Sequence, residues 1–241
     1  MMLLLALAIA PGLAICVYIF LRDQFNREPR KRLVICFFLG IVSAVMAAAA
    51  EALLIGYFKL DPAESIWSAV LMAFVMVALV EEWSKYIMVR LYAFGKPEFD
   101  EPFDGIVYAV MVSMGFATVE NIAYVMQYGF STAIMRMFLS VPAHASFAII
   151  MGYYMGKAKF AGTRRMIVLM TGLFWAVFWH GLYDLFLFLR ENKMLGLYVS
   201  DSLLFAGAIA SFLLTVRLAG RAIREHVSLS EKNHRKNLEH G

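Results

Sequence analysis

The sequence is poor in charge and in cysteine for its length. Only 17% of its 241 residues are Asp, Glu, Lys or Arg and 62% are hydrophobic, whereas a soluble domain is about one quarter charged. Such a chain is too apolar for a water-soluble domain and too rich in hydrophobic residues for a disordered one. Both cysteines, Cys16 and Cys36, lie inside apolar runs, so no disulfide framework is expected.

The sequence also lacks internal repeats and the alternating pattern of a membrane β-strand. Without that alternation, α-helices are the remaining way to satisfy backbone hydrogen bonds in lipid. The absence of repeats disfavours a transporter built from inverted halves. The small excess of basic residues, 22 Lys and Arg against 18 Asp and Glu, lies in short loops and the C-terminal tail. This position indicates membrane topology and argues against nucleic acid as a partner.

What the sequence does contain is a series of apolar runs long enough to cross a bilayer. They predict an all-α, polytopic bundle of about seven membrane-spanning helices. The predicted helices cover residues 2–21, 33–57, 66–91, 104–128, 137–156, 166–190 and 200–220. Residues 1–220 are then a single integral membrane domain, and residues 221–241 form a polar cytoplasmic tail.

Basic residues are concentrated on one side of the predicted helices. Clusters at 22–32 and 157–165 lie on that side, and the C-terminal tail adds several more. Because cytoplasmic loops carry the excess of Lys and Arg, we predict the N-terminus outside the cell and the C-terminus inside.

A short set of ionisable residues falls within the predicted helices, where a charge is costly and usually functional. We take the centre of each helix as the bilayer midplane and a rise of about 1.5 Å per residue. Five of these residues then lie within roughly 6 Å of the midplane. They are Glu81, Glu82, Glu120, His144 and His180. Because they come from four different helices, we predict that they converge on one buried polar site. Glu51 lies nearer the outer boundary and is assigned to structure or to the lining of a cavity.

The densest motif is Glu81-Glu82-Trp83-Ser84-Lys85 on the third predicted helix. At about 100° per residue, Lys85 projects between the directions of Glu81 and Glu82, so one ammonium can partly neutralise both carboxylates. We expect one Glu to pair with Lys85 and the other to face a cavity, where it is a candidate general base. The alternative is an ion pair that only holds the bundle together.

A second motif lies on the fourth predicted helix. Phe116 and Glu120 are one turn apart and share a face, and Asn121 follows directly. Taken alone, this pattern is equally typical of a Glu that hydrogen-bonds a neighbouring helix.

Two histidines complete the set. His180 and Asp184 are spaced i and i+4, so they can meet or face one substrate atom together. In isolation, a core histidine fixed by Asp184 is the simpler explanation of that pair. His144, two residues after Pro142 on the fifth helix, is as readily structural as functional.

In this order the motifs resemble the PrsW family of intramembrane proteases. The pattern is Glu-Glu-x-x-Lys, then Gly-Phe-x-x-x-Glu-Asn, Pro-x-His and His-Gly-x-x-Asp. More distant relatives, the CAAX-type prenyl-protein endopeptidases, carry His where Glu120 stands and usually Arg in place of Lys85. Both positions therefore point to the PrsW family.

The resemblance implies peptide-bond hydrolysis in or beside a bacterial inner membrane. The implied partners are the lipid bilayer and a single-pass membrane protein substrate. In the family's characterised role this substrate is an anti-sigma factor, and its first cleavage releases a stress sigma factor.

For the chemistry we expect a glutamate-activated water. Glu81 or Glu82 takes the proton, Glu120 helps to hold the water, and His180 stabilises the oxyanion. Analogy with the prenyl proteases favours Glu81 as the base. Supporting roles are expected for Lys85, His144, Asp184, Asn121 and Phe116. No cofactor is required by this hypothesis.

A zinc mechanism stays open, because two His and several carboxylates offer three ligands and an open water position. The sequence contains no His-Glu-x-x-His helix motif for such a site. Three other functions also remain as alternatives. They are a proton-coupled transporter or channel that uses the same carboxylates as a relay, a CAAX-type endopeptidase, and a non-catalytic scaffold.

Overall fold

The computed structural model describes residues 1–240, with side chains for residues 1–236, and over that range it contains helices and no strand. Seven of the helical segments described are long and apolar enough to cross a membrane, which confirms the predicted fold class. The helices are α1 (Met2–Arg22), α2 (Arg30–Phe58), α3 (Ile66–Ala93), α4 (Pro102–Tyr128), α5 (Phe130–Phe138), α6 (Ser140–Lys159), α7 (Arg165–Leu189) and α8 (Asp201–His240).

The structure differs from the sequence prediction at the fifth and the last span. The fifth begins earlier, as the short helix α5, and is interrupted at Leu139 before α6. Gly129 ends α4 with a φ of 81°, a conformation that glycine adopts without strain, so α5 follows at once. Helix α8 continues through most of the predicted tail, whose last residue, Gly241, lies outside the described residues.

Helix α3 is not a uniform α-helix. It contains π-helical stretches at Met72–Leu79 and Val89–Ala93, on either side of the α-helical turns Val80–Met88 that carry the Glu-Glu-x-x-Lys motif. π turns are rare and are frequent at functional sites. Because a π turn is wider than an α turn, it changes the angular position of the residues that follow it and so changes which side chains face the interior of the bundle.

Helix α4 is the central helix of the bundle and the most buried of the spans described. Glycines let its neighbours approach it with backbone contact, as is typical of membrane helices. A Cβ atom on Gly156 of α6 would lie 1.9 Å from the carbonyl oxygen of Pro102. A Cβ atom on Gly115 would lie 1.9 Å from that of Phe37 on α2. Larger residues at these two positions would push the helices apart.

At the predicted cytoplasmic end, the loop between α1 and α2 docks on the start of α4. The Tyr108 hydroxyl donates a hydrogen bond to Glu28, and the Glu28 N–H donates to Asp23 over 2.9 Å. Burial raises the pKa of Glu28 to about 7 and the pKa of Asp23 to about 6. Burial also raises the pKa of Glu101, which caps α4, to about 7.

Candidate active site

The Glu-Glu-x-x-Lys motif forms a buried ion cluster in α3. The Nζ atom of Lys85 lies 3.0 Å from Oε2 of Glu81 and 2.9 Å from Oε1 of Glu82, and all three residues are buried. The sequence predicted that one Glu would pair with Lys85, whereas the ammonium contacts both. Burying these charges is tolerable because each carboxylate has the same cation within hydrogen-bond distance.

Residues of other helices complete the surroundings of Lys85. Its Nζ lies 3.9 Å from the centroid of the Phe116 ring on α4, a cation–π contact in a desolvated place. It also lies 3.3 Å from Nδ1 of His144 on α6. The ammonium is thus the point at which α3, α4 and α6 meet.

His180 lies between two carboxylates. Its Nδ1 is 2.9 Å from Oε1 of Glu82, and its Nε2 is 3.2 Å from Oδ2 of Asp184, one turn further along α7. The ring of Phe147 stacks on the imidazole at a centroid distance of 4.9 Å. These contacts fix the orientation of the imidazole plane from both edges and from one face.

His144 has a similar arrangement on α6. Its Nε2 lies 2.8 Å from Oε2 of Glu120, and its Nδ1 lies 3.9 Å from Oε2 of Glu81. The two imidazole rings, His144 and His180, are 5.2 Å apart between centroids. Each histidine therefore presents one nitrogen to the ion cluster of α3 and the other to a separate carboxylate.

Arg136 is a site residue that sequence reasoning missed. It projects from α5, with Nη2 3.0 Å from Oε2 of Glu120 and Cζ 4.2 Å from the centroid of the Tyr124 ring. It falls between the predicted helices 104–128 and 137–156, in a loop, where a lone basic residue is ordinary. The one sequence feature that could have indicated a role in the site is its position just before the fifth span.

Asn121, by contrast, is not part of the cavity wall. Its Nδ2 donates to the carbonyl oxygen of Ala8 over 2.8 Å, and its Oδ1 accepts from Nε of Arg136 over 2.9 Å. Asn121 thus ties α4 to α1 and orients Arg136 from behind.

A cavity of about 580 Å³ lies beside the cluster. The predicted site residues on its wall are Glu81, Phe116, Glu120, His144, His180 and Asp184. Glu82 and Lys85 lie behind this wall, so Glu81 is the member of the Glu pair that faces the cavity. Exposed Tyr128 and Glu191, near the ends of α4 and α7, mark its mouth. On the predicted topology, this mouth faces the outside.

The residues present also fit a divalent metal ion by donor type. One ligand atom each from Glu81, Glu82, His144 and His180 lie within 4.8 Å of one another. Two imidazoles with carboxylate oxygen are a known ligand set of catalytic zinc. The far nitrogen of each imidazole faces a carboxylate, Glu120 or Asp184, which is how zinc-bound histidines are commonly oriented. The Lys85 ammonium occupies the same centre and would compete with an ion.

A chain of seven candidate spans with a cavity walled by carboxylates and imidazoles has the features of an integral membrane hydrolase. The family described as "PrsW family intramembrane metalloprotease" matches residues 28–215.

Curated relatives match over most of their length. Protease PrsW of Geobacillus kaustophilus (strain HTA426) is 38% identical over 189 residues, covering 78% of this chain and 81% of the relative. Protease PrsW of Bacillus subtilis (strain 168) is 33% identical over 190 residues, covering 78% and 84%. That of Halalkalibacterium halodurans is 34% identical over 194 residues, covering 80% and 86%. No solved structure matches the chain.

The chain belongs to the PrsW family and is an intramembrane protease, a multi-pass protein of a bacterial membrane. This confirms the family that the motifs indicated. It favours the protease over the transporter, the scaffold and the prenyl-protein endopeptidase.

Proposed function

We propose that this protease cleaves a single-pass membrane protein by a glutamate-activated water, with Glu81 as the general base. The observation that carries this proposal is the position of Glu81, which faces the cavity while Lys85 holds its carboxylate from behind. Glu82 is enclosed between Lys85 and His180 and has no face on the cavity.

In the proposed reaction, Glu81 takes a proton from a water in the cavity and the water oxygen attacks the substrate carbonyl carbon. The substrate carbonyl oxygen takes the place of Asp184 as the partner of Nε2, and the Nε2–H of His180, whose ring is held by Glu82, stabilises the negative charge that develops on that oxygen. When the carbon–nitrogen bond breaks, Glu81 returns the proton to the leaving amine. Glu82 acts as a positioning residue for His180 and Lys85.

In this proposal the Glu120 carboxylate accepts a hydrogen bond from the water through its second oxygen, and His144 positions that carboxylate. Arg136 fixes the Glu120 carboxylate, and Glu120 in turn orients His144. The charged groups around the reacting atoms are therefore oriented before the substrate arrives, which is the condition for electrostatic stabilisation of a transition state.

A metal ion is the second hypothesis for the same site, and the family description favours it. Glu81, Glu82, His144 and His180 would hold the ion. When bound, it would polarise the substrate carbonyl and activate a water. We favour the metal-free reaction because the Lys85 ammonium already supplies positive charge between the carboxylates.

For the natural substrate we propose an anti-sigma factor with one transmembrane helix, on the strength of the family. The cavity volume of about 580 Å³ suits a few side chains of an unwound peptide better than an intact helix. The proposed substrate segment therefore unwinds before cleavage.

Co-expression with a tagged single-pass anti-sigma factor tests the proposal. We expect the wild-type protein to release a fragment of defined size, and Glu81→Gln and Glu82→Gln to abolish it while remaining folded. Glu64→Gln, in an exposed loop, is the matched control and should cut normally. An intact substrate with the wild type, or cleavage by Glu81→Gln, would contradict the proposal.

A further inference from the structure

One carboxyl group on the cavity wall stands outside the ion network. Glu51, on α2, lines the cavity together with Glu81, Glu120 and His180. Its Oε1 atom is buried and has no hydrogen-bond partner among the described residues. An unpaired carboxyl group in a membrane span is costly, and such residues commonly serve substrate or ion recognition.

The other acidic groups on the inner wall each have a partner. The pairs are Glu81 with Lys85, Glu120 with Arg136 and Asp184 with His180. Glu191, at the mouth, is exposed and can be solvated by water. Glu51 is therefore the acidic group of the wall with capacity for a new partner.

The cavity as a whole favours a cation as that partner. Five carboxyl groups line it, against one guanidinium and two imidazoles. These groups are Glu51, Glu81, Glu120, Asp184 and Glu191, and Arg136, His144 and His180. The wall is negative even when both imidazoles are protonated. Glu82 and Lys85, behind the wall, cancel each other.

We propose that Glu51 is a specificity-determining residue that pairs with a Lys or Arg of the substrate close to the cleaved bond. This inference rests on the proposed protease function of the same cavity. The substrate cation supplies the donor that Glu51 lacks, and a neutral or acidic residue at that position leaves the carboxyl group unpaired. A buried carboxyl group discriminates strongly between substrates, because a substrate without a cation leaves the Glu51 carboxyl group buried and without a hydrogen-bond partner.

The probe is a set of single-pass reporters built on the substrate cut in the co-expression experiment. In each reporter, Lys, Gln or Glu replaces one residue within about four positions of the cleaved bond, a stretch of roughly 13 Å of extended chain. Initial cleavage rates are measured for the wild type, Glu51→Gln, Glu51→Lys and Glu191→Gln. The last variant removes an exposed carboxyl group at the mouth and serves as the control.

We expect the wild type to cut the Lys reporter at one position at least about tenfold faster than the Glu reporter, about 1.4 kcal/mol of discrimination. Glu51→Gln should remove this preference, so that it cuts the Lys, Gln and Glu reporters at similar rates. Glu51→Lys should invert it in favour of Glu, and Glu191→Gln should keep it.

Two outcomes would overturn the inference without touching the protease function. Glu51→Gln could slow all reporters equally, which would make Glu51 structural, or it could leave the Lys preference intact. A wild-type protein that cuts neither the reporters nor the unaltered single-pass substrate would instead overturn the proposed function. A binding measurement separates the inference about Glu51 from the protease function. The inactive variant Glu81→Gln should bind the Lys reporter, and this binding should weaken when Glu51→Gln is added.

Discussion

The Nζ atom of Lys85 lies 3.3 Å from Nδ1 of His144, and this contact joins α3 to α6. An ammonium has hydrogens to donate and no lone pair, so Nδ1 is the accepting nitrogen of the imidazole. A neutral His144 then carries its proton on Nε2 and donates it to Glu120 over 2.8 Å. Lys85 thus sets the tautomer of a histidine on another helix, in addition to neutralising two carboxylates.

Replacing Lys85 should destabilise the protein more than replacing either glutamate. Lys85→Met leaves two buried carboxylates without their cation, and breaking a buried ion pair typically costs about 3–5 kcal/mol. We expect a lower free energy of unfolding in detergent, measured by thermal or chemical denaturation. Adding Glu82→Gln to Lys85→Met should recover part of the loss. Unchanged stability in Lys85→Met would contradict this account of the cluster.

Arg136 should act on the chemistry through Glu120. Arg136→Gln frees the Glu120 carboxylate, and we expect about a 10–100-fold lower kcat, by analogy with the loss of outer-shell groups that orient ligands in metal sites. Arg136→Lys should restore part of the rate because it keeps the charge. A purely structural role predicts loss of folded protein instead, and an unchanged pH profile of kcat in Arg136→Gln would also count against the assignment.

The glycine contacts of α4 should not tolerate alanine. Gly156→Ala and Gly115→Ala each place a methyl group against a backbone carbonyl, and overpacking of this kind costs typically about 1–3 kcal/mol. Gly56→Ala on α2 is the matched control, because no atom lies within 4 Å of its added Cβ. Thermal stability of the three variants in one detergent tests this, and equal melting temperatures would refute it.

Stability should fall as pH rises from about 5 to 7. The folded protein raises the pKa of Glu28 and of Glu101 to about 7, so it keeps protons that the unfolded chain has released. Protonated carboxyls therefore favour the folded state below that pH, and this contribution is lost as pH rises through 7. Glu28→Gln should flatten the dependence, because an amide keeps the acceptor for Tyr108 and does not titrate. Denaturation midpoints across this range measure the effect, and a rise of stability with pH would contradict it.

Removal of metal should leave a glutamate-activated protease active. We expect purified protein treated with a zinc chelator to keep its cleavage rate and to contain well under one equivalent of metal by elemental analysis. One equivalent of metal that is lost together with activity would support the metal hypothesis. In that case Lys85 would have to move away from the carboxylates.

Much of the site could be found from sequence because charge is scarce in the spans. Glu81, Glu82 and His180 stand out in long apolar runs, and their common depth follows from helical rise alone. Arg136 could not be found in this way, since a basic residue near a membrane boundary is unremarkable in sequence. It enters the site only because α5 follows α4 directly at Gly129.

Other features depend on three-dimensional packing that has no local sequence signal. The first π stretch of α3, Met72–Leu79, lies in uniformly apolar sequence, so periodicity does not reveal it. Asn121 follows Glu120 directly and was predicted to have a supporting role. The 100° turn between neighbouring residues directs it towards α1, where it donates to Ala8 and accepts from Arg136.

The backbones of α4 and α6 touch at Gly152 and Gly156 with no side chain between them, so these two helices have little room to slide past one another. Glu120 and His144, one on each helix, therefore keep their separation when other parts of the bundle move. Substrate entry then falls to the other contacts of the bundle, and spectroscopic labels on α4 and α6 give a fixed reference against which those movements can be measured.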